Sequence, residues 1–254
     1  MAPPLPSFVI VGAQLSATRW LRTNLEKHPQ VYLPSFDLGF FENRLDMRRL
    51  GLRWYRDQFA AWDREPLVGE SSPTYLSLKH QPSQVARRID ETIPDVRIIA
   101  ILRQPVDRMY SAMLQYIKRG NLPPETDLFA LIRDRDPVLE EIDLLGASLY
   151  SQAIYRYRRQ FGDRLLVLFH DDVRDRPQEV YASVLRHIGA SDFEPPHVGD
   201  VLFSNRNTVR ANELSDEQHR VLYRLFRRDV EELEAITDRD LSAWYPGPPR
   251  LTSV

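Results

Sequence analysis

The chain has 254 residues, 43% of them apolar and 28% charged, with a formal net charge of −2. That profile suits one globular domain and argues against a basic nucleic-acid-binding surface or a disordered chain. Cysteine is absent, which removes disulfides, thiolate metal ligands and a cysteine nucleophile together.

The histidines include no H-x-x-x-H pair, so no metal is expected. The start, Met1-Ala-Pro-Pro-Leu-Pro-Ser7, has no basic segment followed by an apolar stretch, and no long apolar run occurs later. These features lead us to expect a cytoplasmic protein that engages neither membrane nor nucleic acid, with its oligomeric state open. The only lysines are Lys27, Lys79 and Lys118, so an anion site has to be local and built mainly on arginine.

In chain order, Phe8-Val-Ile-Val-Gly12 is an apolar run ending at glycine, the pattern of a strand buried on both faces. A helix is predicted from Thr18 to Lys27, closed by His28-Pro29, and an amphipathic helix from about Met47 to Trp62. Leu67-Val-Gly-Glu70 reads as a second strand, Ser83 to Glu91 as a helix, and Arg97-Ile-Ile-Ala-Ile-Leu102 as the clearest strand of all. Pro105 suits the first turn of a helix running to about Arg119.

Residues from Gly120 to about 147, with Pro123-Pro124, read as a surface insertion bordering a cleft. A helix follows from Tyr150 to Phe161, a strand from Leu165 to Phe169, and a helix from Pro177 to Ile188 with Gly189 beyond it. Ser215 opens a last helix, with Glu217 and Gln218 as capping partners, that reaches about Ile236. Strands alternating with helices predict an α/β fold in one domain spanning 1–254: a P-loop-like three-layer sandwich with a central parallel sheet.

Ligands in such sheets sit beyond the carboxyl ends of the strands. Gly12-Ala-Gln-Leu-Ser-Ala-Thr18-Arg19 joins a strand to a helix, so free N–H groups and the helix dipole point into the loop, a geometry that binds phosphate. The other reading is an ordinary turn capped by Ser16 or Thr18. The ATP-type pattern G-x-x-x-x-G-K-[ST] fails here, since Ala17 replaces the second glycine and no lysine precedes Thr18, which disfavours a nucleotide kinase or NTPase. After the strongest strand, Arg103 and Ser111 can converge on one dianion, unless Arg103 is spent on Asp107 at the helix start.

Taken together, Gly12-x-x-x-Ser-x-Thr-Arg, Phe40-Phe41, Gly69-Glu-Ser-Ser-Pro-Thr-Tyr75 and Arg103-x-Pro-x-x-Arg-x-x-Ser111 resemble the sulfotransferases that use 3′-phosphoadenosine 5′-phosphosulfate (PAPS). The resemblance is nearest to the branch holding the heparan sulfate sulfotransferase domains and their bacterial relatives, and extends to Tyr150-x-x-x-Ile-x-Arg-Tyr. It implies the sulfotransferase fold and metal-free transfer of a sulfuryl group from PAPS to a hydroxyl, or an amine, of a small-molecule or carbohydrate acceptor, leaving 3′-phosphoadenosine 5′-phosphate (PAP). It also implies that Gly12, Ser16, Ala17, Thr18 and Arg19 hold the 5′-phosphosulfate end and that Arg103 and Ser111 hold the 3′-phosphate. Arg206 and Arg210, in Asn205-Arg-Asn-Thr-Val-Arg210, would close over the nucleotide; the alternative is a solvated loop.

Two positions depart from the family pattern. Where the family carries a lysine or arginine three residues after the first glycine of the loop, this chain has Leu15. Arg19 or the loop N–H groups would then have to stabilise the leaving oxygen, and the alternative function is a catalytically weak PAPS- or PAP-binding protein of the same fold. Where the family has Lys-Glu-x-x-Phe-Phe, with the glutamate as base, this chain has Phe36-Asp-Leu-Gly-Phe-Phe41, which points to Asp37 ahead of Glu42 and Glu70, or to an aspartate that caps its own turn. His170 reads as a structural residue and Asp171 or Asp172 as a helix cap, while His28, His80, His187, His197 and His219 read as surface or packing residues.

Overall fold

The computed structural model describes residues 3–196, 198–200 and 214–245. Its centre is one parallel sheet of five strands: β1 (Phe8–Gly12), β2 (Val31–Tyr32), β3 (Leu67–Ser71), β4 (Arg97–Leu102) and β5 (Leu165–Phe169), in the order β2-β3-β1-β4-β5. The four longer strands lie where their apolar runs predict them. β2 was not foreseen: a two-residue edge strand leaves no periodicity in the sequence, and only its pairing of Val31 with Leu67 and Tyr32 with Val68 defines it.

Alternation along the strands explains why their apolar runs are unbroken. Val9 and Val11 of β1 enter one core with Ile98, Ala100 and Leu102 of β4, while Phe8, Ile10, Ile99 and Ile101 enter the other. The first core is covered by α3 (Pro82–Thr92), α4 (Pro105–Lys118) and α7 (Ser151–Phe161) through side chains such as Val85, Ile89, Met109, Met113, Ile154 and Tyr157. The second is covered by α1 (Thr18–Leu25) and α9 (Pro177–Ile188) through Trp20, Leu21, Tyr181, Val184 and Ile188. Both faces of the sheet are therefore apolar, as the three-layer reading requires.

Several expected helices are subdivided. The amphipathic segment is α2 (Arg44–Asp57), and Gly51 breaks its helical geometry at φ 77° and ψ 166°, a conformation that glycine adopts without steric cost. Ser215 does cap α10 (Asp216–Tyr223) in a reciprocal capping box with Gln218, but the helix stops there and restarts as α11 (Arg227–Thr237). Phe226, in the intervening turn, is buried in the core at 1% exposure beside Leu222 and Val230. α8 (His170–Asp175) follows directly on β5.

The stretch of residues 120–147 carries short helices, with several leucines turned inward and many polar positions exposed. It forms α5 (Leu128–Arg133) and α6 (Val138–Glu141) and buries Leu122, Leu128, Leu139 and Leu144 in the first core. It also holds Arg108: this fully buried guanidinium donates through Nε to Ser148 Oγ at 2.6 Å and through Nη2 to the Leu144 carbonyl at 2.6 Å. Burial works against the Arg108 charge, and those two bonds compensate for the lost water.

β1 is the switch point of the topology. The chain moves from β1 outward to β2 and β3 on one side and then to β4 and β5 on the other, so connections leave the carboxyl ends of β1 and β4 in opposite directions and open a crevice between them. Gly69 sets how closely β1 and β3 pack, since a Cβ there would lie 2.2 Å from the Phe8 ring and 2.8 Å from Leu33. Gly69→Ala is expected to destabilise the fold by roughly 1–3 kcal/mol or more, read as a fall of several degrees in the midpoint of thermal unfolding.

Candidate active site

The loop after β1 bends through backbone conformations that only special geometry permits. Gly12 has φ 138°, Leu15 φ 64° and Ala17 φ 72°, the last two in the left-handed region. Ala17 occupies the place of the missing second glycine and adopts a conformation glycine would take at lower cost, held there by the strand before it and the helix after it. It is the N-cap of α1 and makes no side-chain cap bond. The first N–H groups of that helix therefore face the loop interior without a partner from the cap. Ser16 Oγ and the Tyr150 hydroxyl are buried next to each other, and apart from each other neither has a hydrogen-bond partner among the described residues.

Arg103 leaves the end of β4 and donates through Nη1 to the Leu15 carbonyl at 3.2 Å. The two strand ends that the sequence singled out are thus one site. They line a cleft of about 710 Å3, together with Thr18, Arg19, Trp20, Thr23 and Ser111. On α4, Ser111, Leu114, Gln115 and Lys118 line the same cleft, which is the i, i+3, i+4, i+7 spacing of one helical face. That spacing was legible in the sequence and would have added Gln115, Lys118 and Arg119 to the expected site.

Four cations, Arg19, Arg103, Lys118 and Arg119, border this cleft. None has a carboxylate within ion-pair distance among the described residues. Arg103 is not spent on Asp107, which pairs instead with His219 Nε2 at 3.3 Å. Burial lowers the pKa of Arg103, while the nearby carboxylates of Asp107 and Asp171 act in the other direction. A partly desolvated guanidinium, three further cations, free helix N–H groups and a buried serine hydroxyl form an environment suited to more than one phosphate group.

The carboxylates take other places. Glu70, expected as a candidate catalytic group, is turned into the core at 0% exposure. Its Oε2 accepts from the Tyr55 hydroxyl and its Oε1 from Tyr75 at 2.6 Å and Ser72 at 2.9 Å. Burial raises its pKa, and these three bonds oppose the rise. Enclosed in this way, the carboxyl has no free face for an acceptor, and it serves instead as an anchor. Ser72 Oγ accepts from Gly39 N–H at 3.0 Å and Tyr75 Oη from Phe41 N–H at 3.1 Å, tying the Phe40-Phe41 loop to β3.

Asp37 stands at the rim with its side chain 55% exposed, its Oδ1 taking a bond from Arg22 Nη1 at 3.2 Å, and it does not line the cleft. Asp171 and Asp172 secure the C-terminal part of the chain: Asp171 accepts from Trp244 Nε1 at 2.7 Å and Asp172 from Arg239 at 2.8 Å. Arg206 and Arg210 lie outside the described residues. No group of three metal-ligating side chains occurs among the described residues, and no described helix is long and apolar enough to cross a membrane.

Comparison with known proteins places this geometry. The chain is 29% identical over 163 residues to the membrane-associated sulfotransferase kil1 of Dictyostelium discoideum, covering 61% of this chain and 33% of that protein. It is 26% identical to human heparan sulfate glucosamine 3-O-sulfotransferase 3B1, over 64% of this chain and 40% of that protein. The solved sulfotransferase from Alicyclobacillus acidocaldarius superposes with a TM-score of 0.80 at 25% identity, covering 95% of this chain and 99% of that one. The chain has the sulfotransferase fold and is similar in sequence to sulfotransferases. The fold is also that of mouse sulfotransferase SULT7A1, solved with PAP, at a TM-score of 0.57 and 16% identity over 92% of this chain and 86% of that one.

No family model matches the chain. The chain spans about a third to two fifths of the length of the two curated relatives described.

His170 lines the cleft and is a residue that sequence reasoning set aside as structural. Burial first, and then the Arg103 charge, push its pKa down to about 4. A histidine held neutral in the fold but free to protonate when unfolded contributes stability that is present above the unfolded value and is lost as pH falls towards the folded one. Unfolding free energy is therefore expected to drop as pH falls from about 6.5 to about 4. His170→Gln removes that part of the slope, as chemical denaturation across this range would reveal.

Proposed function

We propose that the chain transfers a sulfuryl group from PAPS to a hydroxyl of a small-molecule or carbohydrate acceptor. The observation that carries this reading is the Arg103–Leu15 contact, which makes a single cleft of two strand ends suited to the two phosphorylated ends of one adenosine nucleotide. The fit is supported by Ser16 Oγ, a buried hydroxyl bordering the loop, and by four cations of the cleft that have no carboxylate partner among the described residues. When bound, PAPS supplies an activated sulfuryl group on a phosphate leaving group. Ser16, Thr18, Arg19 and the N–H groups of the loop would hold the phosphosulfate, while Arg103 and Ser111 would hold the 3′-phosphate.

Sulfuryl transfer, like phosphoryl transfer, gains its rate from positioning and from charge placed where the leaving oxygen develops it. Leu15 offers an apolar side chain at the position where the family pattern has a cation, and its carbonyl is already used by Arg103. Arg19, Lys118 and Arg119 border the same cleft and are the cations able to supply the missing charge. The second reading, a PAPS- or PAP-binding protein with weak catalysis, rests on Leu15 alone.

Calorimetry separates the nucleotide classes. PAP is expected to bind with micromolar affinity and ATP at least about tenfold more weakly, while Arg103→Ala costs roughly 1.5–3 kcal/mol of PAP affinity. A preference for ATP, or an unchanged affinity in the variant, would remove the assignment. Leu15→Lys is expected to raise PAPS turnover by up to about 10²-fold, and an unchanged rate would show that this position does not act on the leaving oxygen.

A further inference from the structure

A second cavity, of about 120 Å3, is lined by other residues than the first. Gln14 lines it while the next residue, Leu15, lines the cleft; Tyr116 faces it from α4 while its neighbour Gln115 faces the cleft. The two spaces thus flank the same loop and the same helix. In-line displacement has the acceptor oxygen approach sulfur opposite the leaving phosphate oxygen, so the acceptor needs a space apart from the one that holds the nucleotide phosphates.

Thr74 and His80 line the second cavity. Thr74 Oγ1 donates to Glu42 Oε1, and Glu42 Oε2 lies 3.8 Å from His80 Nε2. The backbone carrying Glu42 is held by Arg88, which donates through Nε to the Phe41 carbonyl at 2.8 Å and through Nη2 to the Glu42 carbonyl at 2.9 Å. His80 ends a short 3-10 turn, Leu78–His80, capped by Ser77. With Nε2 turned to Glu42, its Nδ1 is the ring nitrogen left to receive a proton. A hydroxyl, a carboxylate and an imidazole in series are the parts of an oriented general base. Neither of the expected carboxylate bases competes: Glu70 is enclosed, and Asp37 is engaged by Arg22 and lines neither cavity.

We propose that His80, oriented by Glu42 and Thr74, takes the proton of the acceptor hydroxyl, and that the cavity beside Gln14 seats the hydroxyl-bearing end of the acceptor. The inference rests on the sulfuryl-transfer reading above. The acceptor O–S bond forms as the bond from sulfur to the bridging phosphate oxygen breaks, and the electron pair stays on that oxygen of PAP. The hydroxyl proton passes to His80 Nδ1, and the Glu42 carboxylate faces the resulting imidazolium at Nε2. The other charged or titratable groups facing the cavity are Lys79 of the same turn, Glu141 and Asp143 from α6 and just beyond it, and Tyr116 of α4. Lys79 Nζ donates to the Glu141 carbonyl at 3.0 Å, and Asp143 accepts from Ser77.

The test measures release of PAP from labelled PAPS by the full chain, with water, glycerol and glucose as acceptor probes, while calorimetry follows PAP affinity in parallel. His80→Gln is expected to slow release roughly 10²-fold, and Glu42→Gln by about tenfold, with PAP affinity unchanged in both. Asp37→Asn, measured alongside, loses less than His80→Gln. The base assignment is overturned by full turnover in His80→Gln, by a greater loss in Asp37→Asn, or by a wild type that turns over none of the three probes while still binding PAP. Loss of PAP binding in the wild type itself would instead remove the donor-site reading.

Discussion

Arg103 projects from the end of β4 and its guanidinium meets the carbonyl of Leu15 in the loop after β1. The contact exists because β1 and β4 are parallel neighbours in register, Phe8 opposite Arg97 and Ile10 opposite Ile99, so their carboxyl ends finish side by side. It spans residues 88 apart in the chain and turns two loops with separate local signals into one cleft. The shape of the loop, with Leu15 and Ala17 in left-handed backbone, aims the Leu15 carbonyl at Arg103 while the N–H groups at the start of α1 face the interior. Loop conformation and strand register together make the site.

The electrostatics follow from which charges are paired. Carboxylates elsewhere have partners: Asp90 takes Arg164, Asp172 takes Arg176 and Arg239, and Asp107 takes His219. The cations of the cleft have no such partners among the described residues, which lets a chain of net charge −2 keep a local anion site. Glu70 shows the opposite case. Three hydroxyl donors surround its buried carboxyl, and two of them, Ser72 and Tyr75, also accept from the Phe40-Phe41 loop. A residue that looks chemical in a motif thereby becomes a support for the loop leading to Glu42 and His80.

Much of the architecture was legible because a strand buried on both faces reads as an unbroken apolar run, and β1, β4 and β5 have the predicted bounds. What failed was short or depended on distant partners. β2 needs β3 to exist, and the break between α10 and α11 leaves no mark in the apolar periodicity, since Leu222, Phe226 and Val230 keep helical spacing across it. In the cleft, Ser111 was singled out but Lys118, two turns further along the same helical face, was not. His80 had no pattern to mark it, since Glu42 is 38 positions away and only the packing of their loops brings them within 3.8 Å.

The amino-acid sequence by itself determined the alternation of strand and helix, the sulfotransferase motifs after β1 and β4, and the absence of the Walker lysine. Each is a local property, carried by side-chain periodicity or by residues a few positions apart. Tertiary structure decided which charges are spent and which remain free, the enclosure of Glu70, and the meeting of Glu42, Thr74 and His80 beside the loop. Those outcomes depend on desolvation and on contacts between residues far apart in the chain, and neither exists until the sheet has assembled.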